Sequence, residues 1–206
     1  MPRRTKEEAE KTKEAVLQSA LDLFYEKGYS RTTFDEIAKR INLTKGAVYW
    51  HFRNKADLLA ELMNIKFNQQ QELAYIKSNE ILTFEAFRNS MIADAMHIQD
   101  NKDYCKFLFF ILYQMEWSEA IMQKISGQIR EIRDFPFFQI KEILTLLQKN
   151  GEICPNVDVV EIASILLCMW RGVLSVYICK TYPMNLVQTL TKGFDLVMDG
   201  IKVEKN

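Results

Sequence analysis

The feature that most restricts the fold of this chain is its shortage of the two residues that make turns. Seven Gly and four Pro among 206 residues amount to about 5%, whereas an average globular chain has roughly 12% of the two combined. Sandwiches and barrels need these residues at each of their many corners. Since 48% of the residues are apolar, the chain can still build a large core. We therefore predict an all-α protein.

The net charge of zero conceals an uneven distribution of charge along the chain. Residues 1–55 hold 12 Lys/Arg and 8 Asp/Glu, which gives this segment a charge of +4. The other 151 residues hold 15 Lys/Arg and 19 Asp/Glu, which gives them a charge of −4. Because modules that bind nucleic acid are basic, the neutral total does not exclude DNA binding by the N-terminal part.

The cysteines and the N-terminus together predict a cytoplasmic protein. No Cys-x-x-Cys pair is present, and four cysteines in 206 residues are too few for a disulfide scaffold. The first 14 residues alternate Lys/Arg with Glu and do not resemble a secretory signal. The most apolar segment, residues 157–179, contains Glu161 and Arg171, so we interpret it as a buried helix and expect no membrane partner.

Two short helices joined by a tight turn are predicted between residues 33 and 52. Thr33 and Glu36 have the spacing of a capping box, in which each side chain accepts from the other residue's backbone N–H. Asn42 tolerates the left-handed backbone of a turn, and Thr44 caps the next helix. Helices with so short a connection cross steeply, which is the helix-turn-helix arrangement. The second helix of such a pair enters the DNA major groove with its N-terminal residues foremost.

The N-terminal turn of that second helix carries side chains suited to DNA. Lys45 can reach guanine O6 and N7, and Gly46 permits close approach of the backbone. Tyr49, one turn further on, can contact a phosphate or a thymine methyl group. An ordinary helical hairpin with a solvated polar face shows the same pattern, so the spacing alone leaves both interpretations open.

A resemblance to TetR-family transcriptional repressors is carried by three segments: TFDEIAKR at 33–40, LTKGAVYWHF at 43–52 and KADLL at 55–59. The start of the chain and the segment AVYWHF are most similar to AcrR- and TtgR-type regulators of multidrug efflux. The resemblance implies an all-helical homodimer with a three-helix DNA-binding domain and a six-helix domain for ligand binding and dimerisation. By position, it places the DNA contacts on Thr33, Thr44, Lys45, Gly46, Tyr49, His51 and Lys55.

The resemblance also sets the expected domain boundary. We predict a helix-turn-helix domain over residues 1–54 and an effector-binding and dimerisation domain over residues 55–206. Arg3, Arg4 and Lys6 precede the first helix and are expected to form a basic arm that reaches phosphates or a minor groove. A disordered tail is the alternative for these residues.

Aromatic and methionine side chains are concentrated between residues 104 and 138, and they predict a small-molecule pocket. Aromatic walls with a few polar groups are typical of such pockets, and methionine adapts to varied ligands. Glu116 lies between two such residues, so its carboxylate faces either water or a cavity. A solid aromatic core is the alternative. The candidate ligand-binding residues are Asp94, His97, Phe110, Tyr113, Glu116, Trp117, Phe138, Trp170 and Tyr177.

Metal and enzyme chemistry are not expected. The chain has only two histidines, His51 and His97, so Asp94-x-x-His97 cannot belong to a di-iron bundle with two such motifs. The same count excludes a zinc site with three histidines. No cysteine has a base near it in sequence that would activate it as a nucleophile. We therefore predict neither a cofactor nor a metal.

A stripe of small residues on the penultimate helix predicts a helix contact at close range. The resemblance places the last two helices at the dimer interface, although a fully intramolecular helix would show the same stripe. The candidate interface residues are Ser164, Cys168, Gly172, Ser175, Phe194 and Val197.

The predicted function is a ligand-responsive repressor. We expect a homodimer that binds a palindromic operator in double-stranded DNA, is released by a hydrophobic small molecule, cationic ones included, and controls a multidrug efflux system. The alternative is an effector-insensitive DNA-binding regulator or architectural protein whose aromatic cluster is solid core.

Overall fold

The computed structural model describes residues 5–74, 83–124 and 135–203, which fall into two compact units. The first unit takes its described residues from Met1–Phe67 and Asp103–Gln128, and the second from Asn68–Lys102 and Ile129–Asn206. Within the described ranges the backbone is helical, and its one extended pairing is an isolated bridge between Ile153 and Lys202. The prediction of an all-α fold is therefore confirmed.

The described residues form ten α-helices. In chain order they are α1 (Lys6–Lys27), α2 (Phe34–Arg40), α3 (Lys45–His51), α4 (Lys55–Ala74), α5 (Phe84–Asp100), α6 (Lys102–Phe109), α7 (Glu119–Lys124), α8 (Phe135–Lys149), α9 (Val159–Ile178) and α10 (Leu186–Asp199). A π-helical turn, Phe110–Gln114, continues α6.

Side-chain caps define the starts of the short N-terminal helices. Thr33 Oγ1 accepts from the N–H of Glu36 at 3.3 Å, and Glu36 Oε2 accepts from the N–H of Thr33 at 3.0 Å. Thr44 Oγ1 accepts from the N–H of Ala47 at the start of α3, and Asn42 between the helices has a φ of 56°. Both predicted caps and the predicted left-handed turn are therefore present.

The core of the first unit forms around Phe24 of α1, which is fully buried. The Phe24 ring stacks on Phe110, with ring centroids 5.0 Å apart. Leu58 and Leu59 of α4 are also fully buried, and Lys106 Nζ lies 2.6 Å from Asp22 Oδ1. These contacts place the start of α4 and residues 103–114 with the N-terminal helices, so the compact units do not divide at the predicted boundary of 54/55.

The second unit packs α5, α8, α9 and α10 around a separate core. Its most buried side chains include Phe87, Leu144, Leu166 and Phe194. Helix α9 is long and apolar enough to cross a bilayer by length and composition alone, yet its Leu166 is fully buried in this core.

Candidate nucleic-acid interface

The N-terminal face of α3 is exposed, whereas its opposite face is buried. Val48 is fully buried, while Lys45 and Gly46 are exposed and Tyr49 is 51% exposed. Lys45 Nζ lies 5.8 Å from the centroid of the Tyr49 ring. The helix therefore presents a cation, a bare stretch of backbone and a phenol on one accessible surface, as readout of a major groove requires.

Gly46 is not required by packing within the chain. A Cβ built at this position would meet one atom at ordinary contact distance, Thr44 Oγ1 at 3.8 Å. The fold would therefore accept a side chain here. The bare backbone is useful for close approach by a partner from outside the chain.

Helix α2, which supports α3, is fixed to α1 by charged and polar contacts. Arg40 makes a bidentate pair with Glu26, with both N–O distances at 2.7 Å. Ser19 Oγ donates to the carbonyl of Ile37 at 3.1 Å in the buried layer between the helices. On the other side, the Phe34 ring of α2 meets the Tyr49 ring of α3 edge-on at 5.0 Å. These contacts fix α2 against α1 and connect α2 to α3, whose exposed face is thereby held in place.

Glu36 combines a cap with an ion pair. Its carboxylate pairs with Lys27 and accepts from both the Thr33 hydroxyl and the Thr33 N–H. The hydrogen bond from Lys27, followed by those from Thr33, lowers the pKa of Glu36 to about 2. Thr33, a predicted DNA contact, is therefore already engaged as the cap of α2.

Lys55, a predicted DNA contact, is hydrogen-bonded to the backbone of its own chain. Its Nζ donates to the carbonyls of Tyr29 at 2.7 Å and Ser30 at 3.1 Å. Burial, and then the charge of Lys27, lowers the pKa of Lys55. In the structure this ammonium is directed at backbone carbonyls of the segment between α1 and α2.

The remaining predicted contacts divide by exposure. His51 is half-buried, and its ring centroid lies 4.5 Å from that of Trp50. Trp50, 73% exposed on the same helix, is not among the predicted contacts, because an aromatic residue in a helical pattern ordinarily indicates core. Arg3 and Arg4 of the predicted basic arm lie outside the described residues. Lys6 does not precede the first helix as predicted but is the first residue of α1, because Thr5 caps that helix.

Four candidate ligand residues belong to the first unit, and they differ in their surroundings. Phe110 is fully buried against Phe24, whereas Tyr113 and Trp117 are 45% and 40% exposed. Glu116 Oε2 accepts a hydrogen bond from Ser30 Oγ at 2.8 Å. An open groove of about 480 Å³ in this unit is lined by Tyr29, Ser30, Lys55, Glu116, Trp117, Ser118 and Ile121.

The other candidate ligand residues belong to the second unit. Asp94 and His97 are partly buried on α5, and burial raises the pKa of the Asp94 carboxyl to about 7. Phe138 on α8 is 59% exposed, and Trp170 and Tyr177 on α9 are partly buried. No group of three or more His, Cys, Asp or Glu side chains within the described ranges is arranged to hold a metal ion.

The candidate dimer residues are exposed, with one exception. Cys168 and Gly172 are exposed on α9, and Ser164, Ser175 and Val197 are partly so. Phe194 is instead 1% exposed, because its ring packs edge-on against Phe87 of the same chain at 5.1 Å. Its neighbour on α10, Leu196, is 71% exposed and is not among the predicted residues.

The segment that contains the helix-turn-helix is similar to known proteins. Residues 16–62 match the family described as bacterial regulatory proteins, tetR family. Over 159 residues the chain is 33% identical to the transcriptional regulator SrpR of Pseudomonas putida, covering 77% of this chain and 71% of SrpR. Over 80 residues it is 41% identical to the transcriptional regulator TtgR, also of Pseudomonas putida, covering 39% of this chain and 38% of TtgR.

A solved structure extends the similarity over nearly the whole fold. SmeT, described as the repressor of the Stenotrophomonas maltophilia multidrug efflux pump SmeDEF, has a TM-score of 0.76 to this chain. The two are 22% identical, and the match covers 93% of this chain and 91% of SmeT. SmeT is also known in a complex with triclosan.

These findings confirm the predicted resemblance to TtgR-type regulators. The family match runs from α1 into α4 and so contains the whole helix-turn-helix. Since the relatives are transcriptional regulators, the prediction that the chain is not an enzyme is also confirmed. The chain belongs to the TetR family of helix-turn-helix transcriptional repressors.

Proposed function

We propose that this chain works in the cytoplasm as a homodimer that represses transcription from a near-palindromic operator. The observation that carries the proposal is the exposed N-terminal face of α3, with Lys45, Gly46 and Tyr49 on one surface. Each subunit inserts α3 into a major groove. A twofold dimer then requires half-sites about 34–36 Å apart, or a multiple of that distance.

The last two helices support a homodimer. Ile165 on α9 is 43% exposed and Leu196 on α10 is 71% exposed. A Cβ built at Gly172 meets no atom within 4 Å, so no described part of the chain outside its own helix fills the space beside this residue. Exposed apolar side chains on the last two helices, together with open space at a helical glycine, favour close packing of a second copy against these helices.

A hydrophobic effector, with cationic compounds included, is proposed to release the DNA. Asp94 supports this, because a partly buried carboxyl with a raised pKa gains most from a ligand that brings a positive charge. The complex of SmeT with triclosan, together with the description of SmeT as an efflux-pump repressor, extends the proposal to the control of a multidrug efflux system. The effector acts by binding more tightly to the conformation that does not bind DNA.

One observation favours the alternative of an effector-insensitive regulator. Phe110, a candidate ligand residue, is fully buried and stacked on Phe24, as expected for solid core. A thermal-shift screen with hydrophobic and cationic compounds separates the two functions, because a ligand of the folded state raises the midpoint by mass action. An Asp94→Asn variant that loses only the shifts caused by cations supports the proposed effector contact.

DNA binding is tested with labelled duplexes that tile the region upstream of the chain's own gene. Lys45→Ala is expected to weaken binding and, because it removes a cation from the DNA surface, to make the dependence of log Kd on log[salt] less steep. Lys149→Ala, an exposed lysine at the end of α8, is the matched control and should change neither. Footprinting that finds no protected dyad in any tile contradicts the proposal.

A further inference from the structure

Two exposed arginines lie beside the DNA-binding helices and are not among the predicted DNA contacts. Arg31 belongs to the loop between α1 and α2, and Arg53 lies between α3 and α4. Arg31 Nε donates to the carbonyl of Lys27 at 2.7 Å, so the terminal nitrogens of its guanidinium remain available for another acceptor. The ion pairs formed by the described residues include neither arginine.

The segments that carry these two arginines lie next to each other in the first unit. Lys55 Nζ donates to the carbonyl of Ser30 at 3.1 Å, across 25 positions of sequence. Ser30 is the neighbour of Arg31, and Arg53 is two residues before Lys55. Lys27 is also close, because its charge contributes to the lowered pKa of Lys55. These four cations, two lysines and two arginines, form what we call the basic edge.

The basic edge keeps a positive charge despite nearby carboxylates. Glu36 pairs with Lys27, and Glu116 Oε2 accepts from the Ser30 hydroxyl at 2.8 Å. The other three cations of the edge have no carboxylate partner within the described ranges. A concentration of unpaired cations on one surface favours binding of a polyanion.

The basic edge borders the helix that is proposed to enter the major groove. Arg53 is the second residue after His51, the last residue of α3, and Arg31 is three residues before Phe34, whose ring meets that of Tyr49. A helix with its side chains is about 10–12 Å across, and the major groove is about 12 Å wide. A helix that fills the groove therefore brings the residues beside it to the phosphates along the border of the groove.

We propose that Arg31 and Arg53 bind phosphates on the border of the groove that α3 enters, in addition to the predicted DNA contacts. A guanidinium suits this role because its N–H groups can bind two phosphate oxygens at once. The inference rests on the proposed function, since it requires α3 in a major groove. It gives both arginines a role in affinity and none in the choice of operator, because phosphates carry no sequence information directly.

The salt dependence of operator binding tests both arginines. Arg31→Gln and Arg53→Gln should each weaken binding, because each removes one phosphate contact per subunit and two per dimer. The slope of log Kd against log[salt] should therefore become shallower by about 1.8 for each variant. A variant that keeps the wild-type slope overturns the contact assigned to its arginine.

Arg40→Gln is the matched control for these variants. It makes the same change in charge within the same unit, but Arg40 is already paired with Glu26 through two N–O distances of 2.7 Å. Its slope should stay at the wild-type value. Lys39→Gln, which breaks the exposed pair of Lys39 with Asp35, is a second control should Arg40→Gln lower the thermal midpoint. An equal change of slope in the controls overturns the proposal, because the net charge of the unit would then explain the effect.

A duplex with the operator sequence scrambled separates this inference from the proposed function. Arg31→Gln and Arg53→Gln should weaken binding to both duplexes by similar factors, whereas Lys45→Ala should lose more on the operator. Wild-type protein that binds both duplexes equally contradicts the proposed function, while the slopes of the arginine variants on either duplex still test the inference. A loss confined to the operator overturns the phosphate role of the arginines.

Discussion

At the scale of the residue, the two most informative carboxyl groups are perturbed in opposite directions. Glu36 gains hydrogen bonds from Lys27 and Thr33, which lower its pKa to about 2. Asp94 loses hydration on α5, which raises its pKa to about 7. Because each pKa differs between the folded and the unfolded chain, each carboxyl group makes the stability of its own unit depend on pH.

Glu36 is expected to make the first unit sensitive to acid. Because its pKa in the folded chain lies below the ordinary value of 4.5, its contribution is fully present above about pH 4.5 and is lost as the pH falls towards 2. Glu36→Gln should therefore lower the urea midpoint at pH 7 but have little effect near pH 2. Circular dichroism at several pH values measures this. Glu14→Gln, an exposed position on α1, is the control and should not show the same convergence.

Asp94 is expected to act in the opposite sense on the second unit. Its pKa in the folded chain lies above the ordinary value of 3.8, so its contribution to stability falls as the pH rises from about 4 to 7. Asp94→Asn should raise the thermal midpoint at pH 8 and leave it nearly unchanged at pH 4. A stabilisation of equal size at both values would mean that the carboxyl is not held neutral by burial.

What the sequence predicts at this scale depends on the reach of each interaction. The caps at Thr33 and Thr44 are predictable, because a cap joins groups two or three positions apart. The partners of Lys55 and Glu116 lie 26 and 86 positions away, and no local pattern contains them. The sequence shows only the charges of these two side chains, which predict a DNA contact for Lys55 and a ligand contact for Glu116. It does not show their hydrogen-bond partners within the chain.

At the scale of the element, α10 shows how periodicity identifies a face without identifying its partner. Phe194 and Val197 recur at helical spacing, which predicts one apolar stripe. In the structure, Phe194 is buried in the core beside Phe87 of α5. Leu196 lies on another side of the helix and is exposed. Only the placement of α5 distinguishes an internal face from a face available to a second copy.

Phe194 and Leu196 form a matched pair for a stability experiment. Phe194→Ala removes a fully packed ring and should destabilise the second unit by about 3–5 kcal/mol. Leu196→Ala removes an exposed side chain and should leave the unfolding free energy at low protein concentration within about 0.5 kcal/mol. Sedimentation should show a weakened dimer for Leu196→Glu. If Phe194→Ala is neutral while the dimer dissociates, the assignment of the two residues is reversed.

At the scale of the whole molecule, the charge division and the packing division of the chain fall in different places. The basic segment ends near residue 55, and the family motif ends close by at residue 62. The compact first unit also requires the start of α4 and residues 103–114, because Leu58, Leu59 and Phe110 are fully buried there. A boundary drawn from charge and motif cannot detect this, since the later segment carries no DNA-binding pattern.

A fragment of residues 1–54 is therefore expected not to fold by itself. It lacks the apolar residues of α4 and the Phe110 ring that stacks on Phe24. Circular dichroism of the fragment should show little helix and no cooperative thermal transition, while the full chain unfolds cooperatively. A fragment that melts cooperatively would show that α1, α2 and α3 have a sufficient core of their own.

The exposed indole of Trp50 gives the protein an internal optical reporter. Trp50 is one of three tryptophans and stands 73% exposed on α3, beside the surface proposed to meet DNA. With Trp117 and Trp170 replaced by phenylalanine, emission would come from this helix alone. Desolvation by a duplex should then shift the emission to shorter wavelength, and an effector should reverse the shift in real time. Occupancy of the operator could thus be followed in unlabelled protein.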